Sequence, residues 1–121
     1  MEDLTALSEA AIGAAYEVQN VLGPGFFEKV YERALQRELA SRGLTARSQA
    51  PIAVMYKGQC VGEYLADLVL EDHLIIEIKR VEHLGNEHLA QALNYLKATG
   101  SHLALLINFR HAKVQVKRVA L

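Results

Sequence analysis

A chain of 121 residues is expected to form one domain, long enough to bury a real core and too short for two. Its 51% apolar content excludes disorder, no apolar run approaches the ~20 residues of a membrane span, and a single cysteine, Cys60, rules out an intramolecular disulfide or a cysteine-based zinc site. The formal charge of −1 argues against a large phosphate-gripping surface, and the start Met1-Glu-Asp-Leu-Thr5 lacks the basic and apolar segments of a secretory signal, so a soluble protein of the cytoplasm is expected.

The spacing of Leu4, Leu7, Ala11, Ala14, Ala15, Val18 and Val21 (or Leu22) predicts a helix over about 4–21, stopped by Gly23-Pro24-Gly25. A second helix follows from about Phe26 to Ser41, carrying Phe27, Val30, Tyr31, Ala34, Leu35 and Leu39 and ended by Gly43. The period then shortens. Ile52, Val54 and Tyr56 alternate with Ala53 and Met55, Lys57-Gly58 reads as a tight turn, and strands over 59–70 and 74–81 complete a meander. Asn86 is the expected N-cap of a helix through Ala98, with Leu89, Leu93 and Leu96 inward and Gly100 as its cap. His102 to Phe109 is nearly all apolar, a strand covered on both faces, and Lys113 to Val119 alternates as a more exposed last strand. The order ααβββαββ describes an α/β domain with a mixed sheet.

The chemistry concentrates between Gly62 and Lys79. With Glu71-Asp72-His73 as the turn, Leu70 pairs with Leu74, Asp67 falls opposite Glu77, and Lys79 shares their face. The other face, Ala66, Leu68, Leu70, Leu74, Ile76 and Ile78, reads as a strip of core. Two like charges at ~5 Å in an effective dielectric of ~20 repel by on the order of 3 kcal/mol. A divalent cation would offset that repulsion, with Lys79 a partial substitute. The plainer reading, a Lys79-bridged surface cluster, accounts less well for so apolar an opposite face.

Two further patterns stand out. Gly25-Phe-Phe-Glu28-Lys-Val-Tyr31 spaces a glutamate and a tyrosine three apart on one helix face. An acidic residue favours a helix N-terminus by about 0.3–1 kcal/mol in any case, which would explain Glu28 but neither Gly25 nor Tyr31. His88, Gln91 and Tyr95 can line one face of the later helix, where an amide and a phenol can hydrogen-bond a water, a phosphate or a lysine. His88 also fits a merely exposed polar position. The remaining histidines, His73, His83, His102 and His111, show no metal-ligand spacing, and Ser8, Ser41, Ser48 and Ser101 lie in no nucleophile elbow. The basic groups Arg33, Arg37, Arg42, Arg47 and Lys113, Lys117, Arg118 read as solvated faces.

With Asp67 and then Glu77-Ile78-Lys79 on successive strands between helices, the chain resembles the PD-(D/E)XK nuclease superfamily, and more closely its small bacterial GxxExxY proteins. The matching stretches are 22–31, 61–67, 88–100 and 105–109, four motifs in order across nearly the whole chain. The resemblance implies a restriction-endonuclease-like mixed central sheet flanked by helices, and metal-dependent hydrolysis of phosphodiester bonds in DNA or RNA. It implies that Asp67 and Glu77 hold Mg²⁺ or Mn²⁺ with the Ile78 carbonyl, that Glu28 completes the metal site, and that Lys79 orients the attacking water or stabilises the transition state. Gln91 would border the site, as in the Q-x-x-x-Y pattern of the recombination-exonuclease branch, with Tyr31, His88 and Tyr95 behind it or against substrate. Ala66 replaces the usual proline before the first acidic residue, and Leu65 stands where related sequences often carry a basic or polar residue. Minimal cores of this kind often act as homodimers. The competing readings are a non-catalytic module that keeps the fold and binds nucleic acid, nucleotide or protein, and a homodimeric interaction protein that assembles through a sheet edge.

Overall fold

The computed structural model describes residues 3–121. Its elements are α1 (Leu4–Leu22), α2 (Glu28–Ser41), β1 (Ala46–Tyr56), β2 (Gln59–Leu70), β3 (Leu74–Lys79), α3 (Asn86–Thr99), β4 (Leu103–Asn108) and β5 (Gln115–Ala120). The order ααβββαββ is as expected. The five strands form one sheet in the order β1-β2-β3-β4-β5, antiparallel except for β3 and β4, which α3 joins by a crossover. This is a restriction-endonuclease-like arrangement of a mixed sheet flanked by helices.

Helices cover both faces of the sheet. The small residues Ala11, Ala14 and Ala15 let α1 lie close to α2 and to one face, where Tyr31, Leu35 and Leu39 of α2 meet Leu68, Leu70, Leu74, Ile76 and Ile78. On the other face, Ala92, Tyr95 and Leu96 of α3 meet Ile75, Ala104 and Leu106. All six residues of β4 are buried, as an apolar run between two layers requires.

Several boundaries differ from the sequence reading, each for a physical reason. Strand β1 begins at Ala46 rather than near Ile52. Polar Arg47, Ser48 and Gln49 and the ring of Pro51 disguise its first half, yet an edge strand tolerates a proline. Helix α2 starts at Glu28, not Phe26, and Phe27 outside it is 79% exposed rather than core. Gly85, not Asn86, caps α3, its amide donating to Nδ1 of His88 at 2.9 Å. Strand β3 stops at Lys79 instead of Val81. The departing chain is held by Asn108, whose amide group exchanges hydrogen bonds with both the Val81 carbonyl (2.7 Å) and the Val81 N–H (3.0 Å).

The expected strip of core also breaks. Ala66 belongs to the α3 layer together with Ala50 and Ile52, whereas Leu68 and Leu70 belong to the α1–α2 layer. The β1–β2 ladder skips Gln49 and Asp67 and resumes in the same register, and Gln49 has φ of 51°. That local kink turns the ribbon, so residues on opposite sides of it present even-numbered side chains to different layers.

Candidate active site

Pairing between β2 and β3 ends at Leu68 opposite Ile76. One step further, where Asp67 and Glu77 would continue the ladder, the side chains take over from the backbone. Oε2 of Glu77 accepts the Asp67 N–H at 2.8 Å, and Oδ2 of Asp67 accepts the Ile78 N–H at 2.7 Å. Each carboxylate thus satisfies an amide that strand separation would have left unpaired. Oδ1 of Asp67 and Oε1 of Glu77 remain outside these bonds. The Lys79 carbonyl accepts from Phe109 N–H on the β4 side at 2.9 Å. By strand alternation the Ile78 carbonyl faces the opposite edge, into the gap that β2 vacates.

Charge is expensive here. Glu77 is only 4% exposed. Burial, reinforced by the Asp67 charge, pushes its carboxyl up to about 7 against the bond from the Asp67 amide. Burial likewise raises Asp67, with the Ile78 amide and the Lys79 charge opposing and the Glu32 and Glu28 charges adding. Tyr95 of α3 lies near both: burial and then the two carboxylates push its phenol up to about 12.

Lys79 extends from the end of β3 and donates to Oε1 of Gln91 at 3.0 Å, so the amide of α3 fixes the direction of the ammonium. On the α2 side, Oε2 of Glu28 accepts the Arg80 N–H at 3.1 Å. Glu28 and Gln91 therefore grip adjacent residues at the end of β3 from two different helices. One oxygen of the exposed Glu28 carboxylate is thus engaged by the amide beyond Lys79, while its charge reaches Asp67.

The other expected residues separate. Tyr31 is fully buried and stacks on Phe109 with centroids 4.7 Å apart. Its hydroxyl donates to the Gly23 carbonyl at 2.7 Å and accepts the Phe26 N–H at 3.1 Å, so it pins the loop that delivers Glu28 and offers no surface to a substrate. His88 uses Nδ1 as the cap of α3, accepting the Gly85 N–H. Sequence reading missed Glu32, a carboxylate 4% exposed, held by Lys29 at 3.2 Å and by Gln49 Nε2 at 3.0 Å, and close enough for its charge to act on Asp67 and Glu77. The signal was present: 28, 32, 35 and 39 share a helix face whose last two members are core.

The donor set suits a small hard cation. Two carboxylates with one oxygen each to spare, beside a backbone carbonyl, are oxygen ligands of the kind Mg²⁺ and Mn²⁺ take. Among the described residues no three acidic, histidine or cysteine side chains stand together as a cage. An ion of the Mg²⁺ type keeps several waters and takes only one or two carboxylates together with a substrate phosphate.

Residues 5–119 match the sequence model of the PD-(D/E)XK nuclease superfamily. No curated protein matches the chain. A solved structure described as SSO0001 is similar in fold, with a TM-score of 0.57 and 18% identity over 96% of this chain; the match spans 58% of that protein's length.

Proposed function

Because the chain belongs to the PD-(D/E)XK nuclease superfamily, we propose that it is a divalent-metal-dependent nuclease that hydrolyses phosphodiester bonds of DNA or RNA. The observation that carries this reading is the Asp67–Glu77 pair: carboxylates that replace the broken ladder, keep an oxygen each in reserve, and lie beside a lysine aimed by Gln91. Asp67, Glu77 and the Ile78 carbonyl would hold Mg²⁺ or Mn²⁺. When bound, such an ion makes water a stronger nucleophile and neutralises charge on the phosphate oxygens. Lys79 places a positive charge against the scissile phosphate, and Gln91 keeps it from folding back onto the carboxylates. Glu28, bonded to the amide after Lys79, holds the end of β3 and orients water at the rim. Within the superfamily the reading narrows to the GxxExxY branch, in which Gly25 and Tyr31 shape the loop that presents Glu28.

A second reading, a non-catalytic module that binds nucleic acid, is favoured by the net charge of −1, low for an enzyme that must hold a polyanion. Incubation of the wild type, Glu77→Gln and Lys79→Ala with single- and double-stranded DNA and RNA in Mn²⁺ separates the two. Cleavage by the wild type, lost in both variants, is expected. Binding without cleavage, together with a Mn²⁺-induced rise in melting temperature, would instead establish the binding module. No rise in melting temperature with Mn²⁺ would remove the metal from both readings.

A further inference from the structure

The β1–β2 ribbon runs well past the end of β3, to which only Leu68–Leu70 are paired. The remainder forms a two-stranded arm on which Met55, Tyr56, Val61, Tyr64 and Leu65 are 48–63% exposed. Clustered apolar exposure of this kind marks a contact surface. Between the arm and α3 lies a groove of about 720 Å³, lined on one wall by Val54, Met55 and Tyr64 and on the other by Asn94, Tyr95 and Lys97. Its lining includes Gln91, the residue that holds Lys79, so the groove adjoins the candidate active site.

Resting on the nuclease reading, we infer that this groove binds the unstacked bases of a single-stranded stretch of the nucleic-acid substrate, which makes the protein selective for single strands. Tyr64 lies three residues from Asp67 on the same strand, about 10 Å at ~3.4 Å per residue. A strand whose phosphate lies at Asp67–Glu77 therefore reaches Tyr64 within about three nucleotides. The rings of Tyr64 and Tyr95 stand 5.7 Å apart and tilted by 48°, one exposed face beside a buried one that it shields. The groove's volume falls in the ~300–1,000 Å³ range that admits one small organic molecule, a nucleotide or two.

The chemistry of the walls points the same way. An aromatic ring recognises the face of a base, and a paired base hides its faces in the stack; only an unpaired one presents them. The side-chain amides of Gln91 and Asn94 can meet base edges. Phosphate attraction alone would be weak, because Lys97 shares the groove with Glu87. The other cations towards the site are Lys79, set against the scissile phosphate, and Arg80, which has its Nε buried without a hydrogen-bond partner. With three cations engaged, the logarithmic salt dependence of single-strand binding has a slope of only about −2.

The test is fluorescence polarisation of a labelled single strand of about 12 nucleotides and the matching blunt duplex, titrated with the full chain in EDTA to prevent cleavage. The single strand is expected to bind more tightly, with a shallow salt slope. Tyr64→Ala should weaken it roughly 5- to 150-fold, and Tyr64→Phe, which keeps the ring, should leave it near the wild type. The Mn²⁺-induced melting shift should be the same in all three proteins, which also checks that Tyr64→Ala folds; Met55→Ala serves as a second groove variant if it does not. Equal or tighter duplex binding, or Tyr64→Ala binding the single strand as the wild type does, overturns the inference. So does light scattering that shows Tyr64→Ala dissociating a dimer without changing strand affinity, which would make the arm a self-association surface. Tyr64-dependent strand binding without any Mn²⁺ shift or cleavage would sink the nuclease reading and leave the groove standing.

Discussion

The two oxygens of Glu77 face different demands: Oε2 accepts the Asp67 amide at 2.8 Å, while the group as a whole lies 4% exposed next to a second carboxylate. Hydrogen bonding argues for keeping the residue, and charge argues against it. A neutralising replacement therefore stabilises the metal-free protein only if it keeps an acceptor for that amide. Glu77→Gln retains an acceptor for the amide and removes the buried charge. In EDTA at pH 8 it should unfold at least as high as the wild type, by about 1–3 kcal/mol more. Glu77→Ala leaves the Asp67 N–H without a partner, which costs about 1–3 kcal/mol and cancels that gain. Thermal melting of the three proteins checks the order Gln above Ala. If Gln melts well below the wild type, the carboxylate is contributing a contact other than this one. Neither variant should retain the melting shift with Mn²⁺.

At the scale of the elements, the loop between α1 and α2 is held by a single side chain. Tyr31 bonds the backbone of both Gly23 and Phe26. Gly25 adopts φ of 115°, which only glycine accepts without strain. Tyr31→Phe keeps the ring stacked on Phe109 but leaves one carbonyl and one amide unmatched. A loss of about 1–3 kcal/mol is expected, with faster hydrogen exchange at the Phe26 and Arg80 amides as Glu28 loses its fixed position. Unchanged exchange at Arg80 would show that Glu28 is placed by helix α2 alone. This division of labour was only half legible in the sequence. The spacing of Glu28 and Tyr31 announced a motif, but its two side chains point to different tasks, one towards β3 and one into the core. The register that pairs Leu70 with Leu74 could be counted from the turn, because a buried face fixes strand pairing. The kink at Gln49 could not, since a positive φ at a non-glycine residue leaves no mark in hydrophobic pattern. Without the kink, neither the layer change at Ala66 nor the approach of Gln49 to Glu32 could be read.

Across the whole molecule, the burial of Glu77 couples the site to global stability. Free of metal, the folded protein holds a proton on Glu77 up to about pH 7, whereas the unfolded chain releases it near the ordinary value of 4.5. Between those values the native state binds more protons than the unfolded state, so stability falls as pH rises and flattens above about 7. The full effect is on the order of 3 kcal/mol, and the raised carboxyl of Asp67 adds in the same direction. A cation that requires the ionised carboxylates reverses the trend: it competes with the proton and stabilises by RT ln(1 + [L]/Kd), ~1.4 kcal/mol at tenfold excess. Melting curves in EDTA are therefore expected to drop from pH 5 to pH 8, and Mn²⁺ to lift the pH 8 curve while leaving the pH 5 curve nearly unchanged. In Glu77→Gln most of the pH dependence should vanish together with the Mn²⁺ response. A metal-free wild type that grows more stable from pH 5 to pH 8 would mean that the pair is solvated or bridged by Lys79, and that no cation is needed to relieve it.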